Sequence, residues 1–142
     1  IRRRMLRPRV LVYSAVLAML VAAMGTSLAL RNPLKLDVIR DRGSMGREVD
    51  DGRIENVYRL QVMNTSEAPQ TLQVSVSGIP SATVVDIGAI AIEGVTTRAV
   101  PVRVRIDQGA GKPGTNMIEF TVRSLSDPDL SVSEGAAFIV PK

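Results

Sequence analysis

Three kinds of side chain in this 142-residue sequence have chemistry to offer, and each is thinly spread. The first is the carboxylate. Residues 41–55, DRGSMGREVDDGRIE, hold Asp41, Glu48, Asp50, Asp51 and Glu55. A calcium site wants several oxygen ligands at fixed spacing around a glycine bend. Asp50, Asp51 and Gly52 give only a faint version of it. Arg40, Arg42, Arg47 and Arg53 sit beside or among these acids, so the stretch reads as a solvated loop with local ion pairs. Paired carboxylates also do acid–base work. The pairs here, Asp50 with Asp51 and Asp127 with Asp129, lie in polar turns where nothing would set an acid against a base. The second kind is the methionine thioether, a soft ligand suited to Cu(I). Met45, Met63 and Met117 are far apart in sequence and form no MxxM cluster. Sheet cover or a subunit interface accounts for them equally well. The third kind is arginine, concentrated at the start of the chain.

The missing residue types exclude more than the present ones suggest. Cys, His and Trp are all absent. The chain itself therefore offers no thiolate nucleophile, no cysteine-held iron–sulfur cluster, no His- or Cys-ligated haem, no zinc site of the usual kind and no disulfide. A Ser-His-Asp triad is equally impossible. The aromatic residues are Tyr13, Tyr58, Phe120 and Phe138, too few and too scattered to stack nucleic-acid bases. The net charge of +4 also misleads. Arg2, Arg3, Arg4, Arg7 and Arg9 supply five positive charges in the first nine residues, with no acid among them. The remaining chain holds thirteen basic and fourteen acidic side chains. No basic face is expected on the folded part, and nucleic acid is not an expected partner.

The arginines make sense beside the segment that comes next. Residues 10–30, VLVYSAVLAMLVAAMGTSLAL, contain no charge. A helix of that length spans roughly 30 Å, the thickness of the hydrocarbon core of a bilayer. Its hydroxyls, on Ser14, Thr26 and Ser27, are cheap in lipid because they bond back to the helix. Positive flanks stay in the cytoplasm. This puts the N-terminus inside and everything after Arg31 outside, in the periplasm of a Gram-negative cell. The expected organisation is a basic flank 1–9, a transmembrane helix 10–30 and an outer domain 31–142. A signal peptide cut after Ser27 and Ala29 is the rival reading. The chain opens on Ile1 rather than methionine, which reads as a piece of something longer.

From Leu34 onward the periodicity becomes alternating, the mark of half-buried strands. Strands are predicted at 34–40, 54–64, 70–77, 83–87, 90–92, 96–106, 115–124 and 130–140. In residues 54–64 the inward set is Tyr58, Leu60 and Val62, and the outward set is Arg59, Gln61 and Met63. Residues 54–64 and 70–77 form either a hairpin or neighbours joined across a short corner, with Asn64 and Pro69 as turn formers between them. Pro101 places 96–106 at an edge, or in a slot where no ladder bond is needed. Seven or eight short strands with one wet face each pack as two sheets. The predicted class is mainly β: an immunoglobulin-like sandwich after one transmembrane α-helix.

Three stretches carry a family likeness: RPRVLVYSAVL at 7–17, RNPLKLDVIRDRG at 31–43 and DGRIENVYRLQVMN at 51–64. With them the chain, from Arg7 to Pro141, resembles the C-terminal part of the FixG/CcoG proteins, membrane-bound polyferredoxin accessory proteins of cbb-type cytochrome c oxidase. The resemblance implies that 10–30 is the last membrane helix and that the rest is a periplasmic immunoglobulin-like domain. It also implies two 4Fe-4S clusters and further helices upstream, in a parent that reduces copper for the oxidase. No cofactor is expected in this stretch, and no catalytic, cofactor or metal ligand carries over. The matching residues are Asp37, Arg40, Asp41, Arg42, Ile54, Glu55, Asn56 and Tyr58. For these, two roles suggest themselves: Tyr58 caps the core, and Arg40 and Arg42 pair with Asp37 or Asp41. The implied partners are the bilayer, the upstream helices, and oxidase subunits or copper-delivery proteins, with the protein in the bacterial inner membrane. A periplasmic copper-handling module and a secreted binding domain stand as alternatives.

Overall fold

The structure is a computed structural model that describes residues 7–44 and 46–142. It separates into an N-terminal unit ending at Arg31 and a second unit, Asn32–Lys142.

Helix α1 spans Pro8–Ala29. Proline suits its first position, where an N–H would have no partner, and Leu11 N donates to Arg7 O at 3.1 Å to open the ladder. Thr26 Oγ1 donates to Ala22 O at 2.8 Å, so this hydroxyl is satisfied inside the helix. None of the helix is buried against protein. It is long and apolar enough to cross a membrane. It begins two residues earlier than predicted, so Arg9 lies in its first turn and Arg7 just ahead of it. Arg2, Arg3 and Arg4 lie outside the described residues.

The second unit is a sandwich. One sheet contains β1 (Leu34–Arg40), β3 (Ile54–Asn64), β7 (Thr96–Ile106) and β5 (Thr83–Val85) in that order, and β2 (Arg47–Glu48) extends it by pairing with the start of β3. The other runs β6 (Ile90–Ile92), β4 (Gln70–Ser77), β8 (Gly114–Ser124) and β9 (Ser131–Val140). The strand pairings of both sheets are antiparallel. A 3-10 turn, Arg42–Ser44, follows β1.

Alternation does the building. Tyr58, Leu60 and Val62 are buried while Arg59 and Met63 are exposed. Val102, Val104 and Ile106 of β7 and Ile118, Phe120 and Val122 of β8 share their core. Burying such side chains is worth roughly 1.5–3 kcal/mol each, and with no disulfide this apolar layer is what holds the two sheets together.

Of the two connections left open between β3 and β4, a corner is the one formed, and one strand end departs from expectation. Strands β3 and β4 are not a hairpin: β3 pairs with β1 and β7, and β4 with β6 and β8. The connection 65–69 crosses between the sheets, because the inner face of each strand needs the opposite sheet. Strand β5 ends at Val85 rather than Ile87, where Asp86 turns left-handed at φ 52°. Pro101 is accommodated as foreseen. Strand β5 covers β7 only at Arg103–Arg105, so at Pro101 β7 has β3 alone beside it.

Candidate functional site

The stretch IENVY, residues 54–58, opens β3, and its side chains divide by parity. Asn56 and Tyr58 point inward and reach across to β9, an edge strand paired only with β8. Asn56 Nδ2 donates to Ile139 O at 2.9 Å, and its Oδ1 accepts from Gly46 N at 3.2 Å and Ile139 N at 3.4 Å. The Tyr58 hydroxyl donates to Ala137 O at 2.8 Å. Its ring meets Phe120 edge-on, centroids 5.0 Å apart. Side chains from one sheet thus supply partners to the main chain of the other. Burial pushes the Tyr58 hydroxyl above its ordinary value, and the Arg40 charge pulls weakly the other way. Tyr58 is therefore a core residue and a tether in one.

Ile54 is buried in the core. Glu55 points to the outer face and is 5% exposed. It accepts a 2.6 Å bond from Arg105 Nε, the neighbour opposite it on β7. That hydrogen bond, ahead of the Coulomb attraction, raises the affinity of the Arg105 guanidinium for its proton.

The residues of 37–42 behave differently. Arg40 and Arg42 do not pair with Asp37 or Asp41: neither arginine is in an ion pair among the described residues. Asp37 and Arg40 have opposite parity on β1, so they leave the strand on opposite faces. Asp41 Oδ1 instead accepts from Gly43 N at 3.0 Å, closing the turn. What the end of β1 does form is a groove of about 300 Å³. Ile39, Asp41, Arg42, Val57, Arg59 and Pro101 line it together with Arg40 and Tyr58. Asp37 belongs to a separate depression with Lys35, Gln61 and Met63. A third, near Glu48, Gln108 and the C-terminus, measures about 520 Å³.

The methionines do not converge. Met63 is exposed on the outer face of the β1–β3–β7 sheet, and Met117 on the outer face of the other. One ion cannot be shared between them. Met45 lies outside the described residues. No cluster of three or more acidic side chains suited to a metal exists among the described residues.

Asn64 does more than its sequence context announces. Expected as a turn former, it is fully buried. Its Nδ2 donates to Ala68 O at 2.8 Å and Glu93 O at 3.2 Å, while its Oδ1 accepts from Ser66. Its even position, in phase with Asn56 and Tyr58, was the available signal.

Residues 24–141 match the family described as "IG-like fold at C-terminal of FixG, putative oxidoreductase". The chain belongs to this family. The FixG C-terminal match begins inside α1, so it includes the junction of helix and sandwich. The nitrogen fixation protein FixG of Rhizobium meliloti (strain 1021) is 33% identical over 81 residues, 57% of this chain and 16% of that protein. The matched region is thus a small part of that FixG relative's length. The crystal structure of a FixG-related protein from Vibrio parahaemolyticus shares the fold, with a TM-score of 0.68 at 24% identity over 78% of this chain and 98% of that one.

Proposed function

We propose that this FixG-family chain is a membrane anchor carrying an interaction domain on the outer side of the bacterial inner membrane. It serves an oxidase assembly protein whose 4Fe-4S, copper-reducing part lies outside this sequence. The carrying observation is the FixG match itself, which runs from Met24 in the apolar helix to Pro141 at the end of the sandwich. An apolar helix of 22 residues with arginines ahead of it supports a cytoplasmic N-terminus and a periplasmic sandwich. The inward side chains of the sandwich are committed to packing and to tethers, which supports a recognition role over catalysis in this part. The helix also has a place for the missing upstream helices, since its surface is unburied.

Deleting residues 32–142 from the parent protein in cells is expected to impair assembly of the oxidase. Normal assembly without them would overturn the reading. Membrane fractionation separates the signal-peptide alternative: an uncleaved product held in the membrane is expected, and a soluble product starting near Leu30 would favour secretion.

A further inference from the structure

Two exposed apolar tips stand at the end of the sandwich where the chain enters it. Pro33 O accepts from Thr65 N at 2.8 Å and from Thr65 Oγ1 at 2.9 Å, and Asn32 Nδ2 donates to Ser131 O. These bonds hold the corner 65–69 and the β8–β9 loop, 125–130, beside the entry point. Val95 N donates to Ser66 O at 2.9 Å, which brings the β6–β7 turn to the same end, and Leu125 N donates to Thr71 O at 2.8 Å, at the start of β4. Among the described residues of the sandwich, Val95 is the most exposed large apolar side chain, at 73%, and Leu125 is 52% exposed. Val95 also stands at φ 51°, a left-handed conformation that a β-branched side chain resists. Glycine or asparagine would take that conformation more easily and leave less apolar surface in water. An isopropyl group at a strained, wet loop tip points to an apolar partner outside the domain.

We propose that Val95 and Leu125 rest in the interfacial layer of the phospholipid bilayer, so that the sandwich meets the membrane with two loop tips as well as through its helix. The covalent chain argues for this occupant. The apolar helix ends at Ala29, and only Leu30 and Arg31 separate it from Asn32. Three steps of extended chain reach about 10 Å. Whatever the tilt of the sandwich, its entry end therefore stays at the membrane face, and the bilayer is the apolar phase within reach of these loops. Glu67, Glu93, Asp127 and Asp129 lie on the same loops and are exposed. Their carboxylates stay in the water of the headgroups, which limits the contact to a shallow one made by the valine and leucine tips. Removing those tips from water is the favourable step, as it is for any apolar side chain at a membrane interface. This inference rests on the membrane-anchor reading and adds a second point of contact to it.

The test uses the full chain in nanodiscs of phosphatidylcholine, some of it carrying a nitroxide quencher near the headgroup. The chain has no cysteine, so Val95→Cys, Leu125→Cys and Gln108→Cys each take one environment-sensitive fluorophore. Gln108 is the control, because it follows β7 at the far end of that 11-residue strand, about 30 Å away. Labels at 95 and 125 are expected to emit at shorter wavelength and to be quenched by the nitroxide lipid at least about threefold more than the label at 108. Iodide in the water is expected to quench in the reverse order. Val95→Asn tolerates the left-handed backbone, so the domain stays folded. Added to the Leu125→Cys chain, it is expected to lower lipid quenching by about half. Labels at 95 and 125 as open to iodide as the one at 108 would overturn the proposal, as would unchanged quenching in the Val95→Asn chain. Shielding from both quenchers would mean that the loops pack on protein, and the lipid contact would be dropped. Co-elution of the chain with the nanodiscs reads the anchor separately. A chain that co-elutes while its loop labels stay in water keeps the anchor and loses the loop contact, whereas a chain that does not co-elute loses both.

Discussion

Asn56 and Tyr58 show how two side chains, two residues apart, decide whether an edge strand is held. Each gives β9 a main-chain partner that its own sheet does not supply. Removing one partner of a buried hydrogen bond costs the desolvation of the group left behind, about 1–3 kcal/mol. Asn56→Ala orphans the Ile139 N and O and the Gly46 N together, so it is expected at the upper end of that range, read from urea unfolding of the full chain in detergent. Tyr58→Phe keeps the ring against Phe120 and loses only the hydroxyl bond, about 1 kcal/mol. The phenol also ties stability to alkaline pH. Its value is raised in the folded state above the ordinary 10.0. The unfolded chain therefore loses this proton first, and stability falls as pH rises past about 10, by up to about 1.4 kcal/mol per pH unit. Below that pH both states hold the proton and the contribution is constant. The unfolding midpoint of the native chain is expected to drop more steeply between about pH 9 and 11 than that of Tyr58→Phe. Parallel curves would contradict a buried Tyr58 hydroxyl.

At the scale of elements, strand positions were legible because alternation of apolar and polar residues is a local signal. Strands β3, β4 and β7 occupy the ranges read from their patterns. Which strand pairs with which is not local, and there the sequence left hairpin and corner both open. The turn-rich connection 65–69 looks the same whether it closes a hairpin or crosses to the opposite sheet. Its crossing depends on a tight contact that no pattern announces. Gly94 lies against the Glu67 carbonyl, where a methyl group would overlap the oxygen. The adjoining Val95 is left-handed at φ 51° and donates its N–H to Ser66 O at 2.9 Å. With Asn64 bonding to both loops, the corner after β3 and the turn before β7 form one knot. Gly94→Ala must push these loops apart, at a cost of about 1–3 kcal/mol, measurable as a lower thermal midpoint by circular dichroism. An unchanged midpoint would show that the loops yield freely. The expected pairing of Arg40 and Arg42 with nearby acids failed for a related reason. Neighbours in sequence diverge in a strand, so the partner of a charge is set by parity and by the strand opposite. Glu55 shows this, finding Arg105 fifty residues away.

At the scale of the whole molecule, charge and hydropathy set the broad plan. The basic flank adjoins the apolar segment, the sandwich beyond it is close to neutral, and the core closes on apolar side chains without a disulfide. Membership of the FixG C-terminal family fits a chain that carries no cysteine: in the proposed division of labour the redox centres and the recognition surface lie on opposite sides of the bilayer. The measurement that bears on this most directly is a reporter fused after Lys142, active only outside the cytoplasm, in the otherwise unaltered protein. The account predicts an active reporter in the membrane fraction. An inactive reporter on a stably expressed fusion would place the sandwich in the cytoplasm and contradict it.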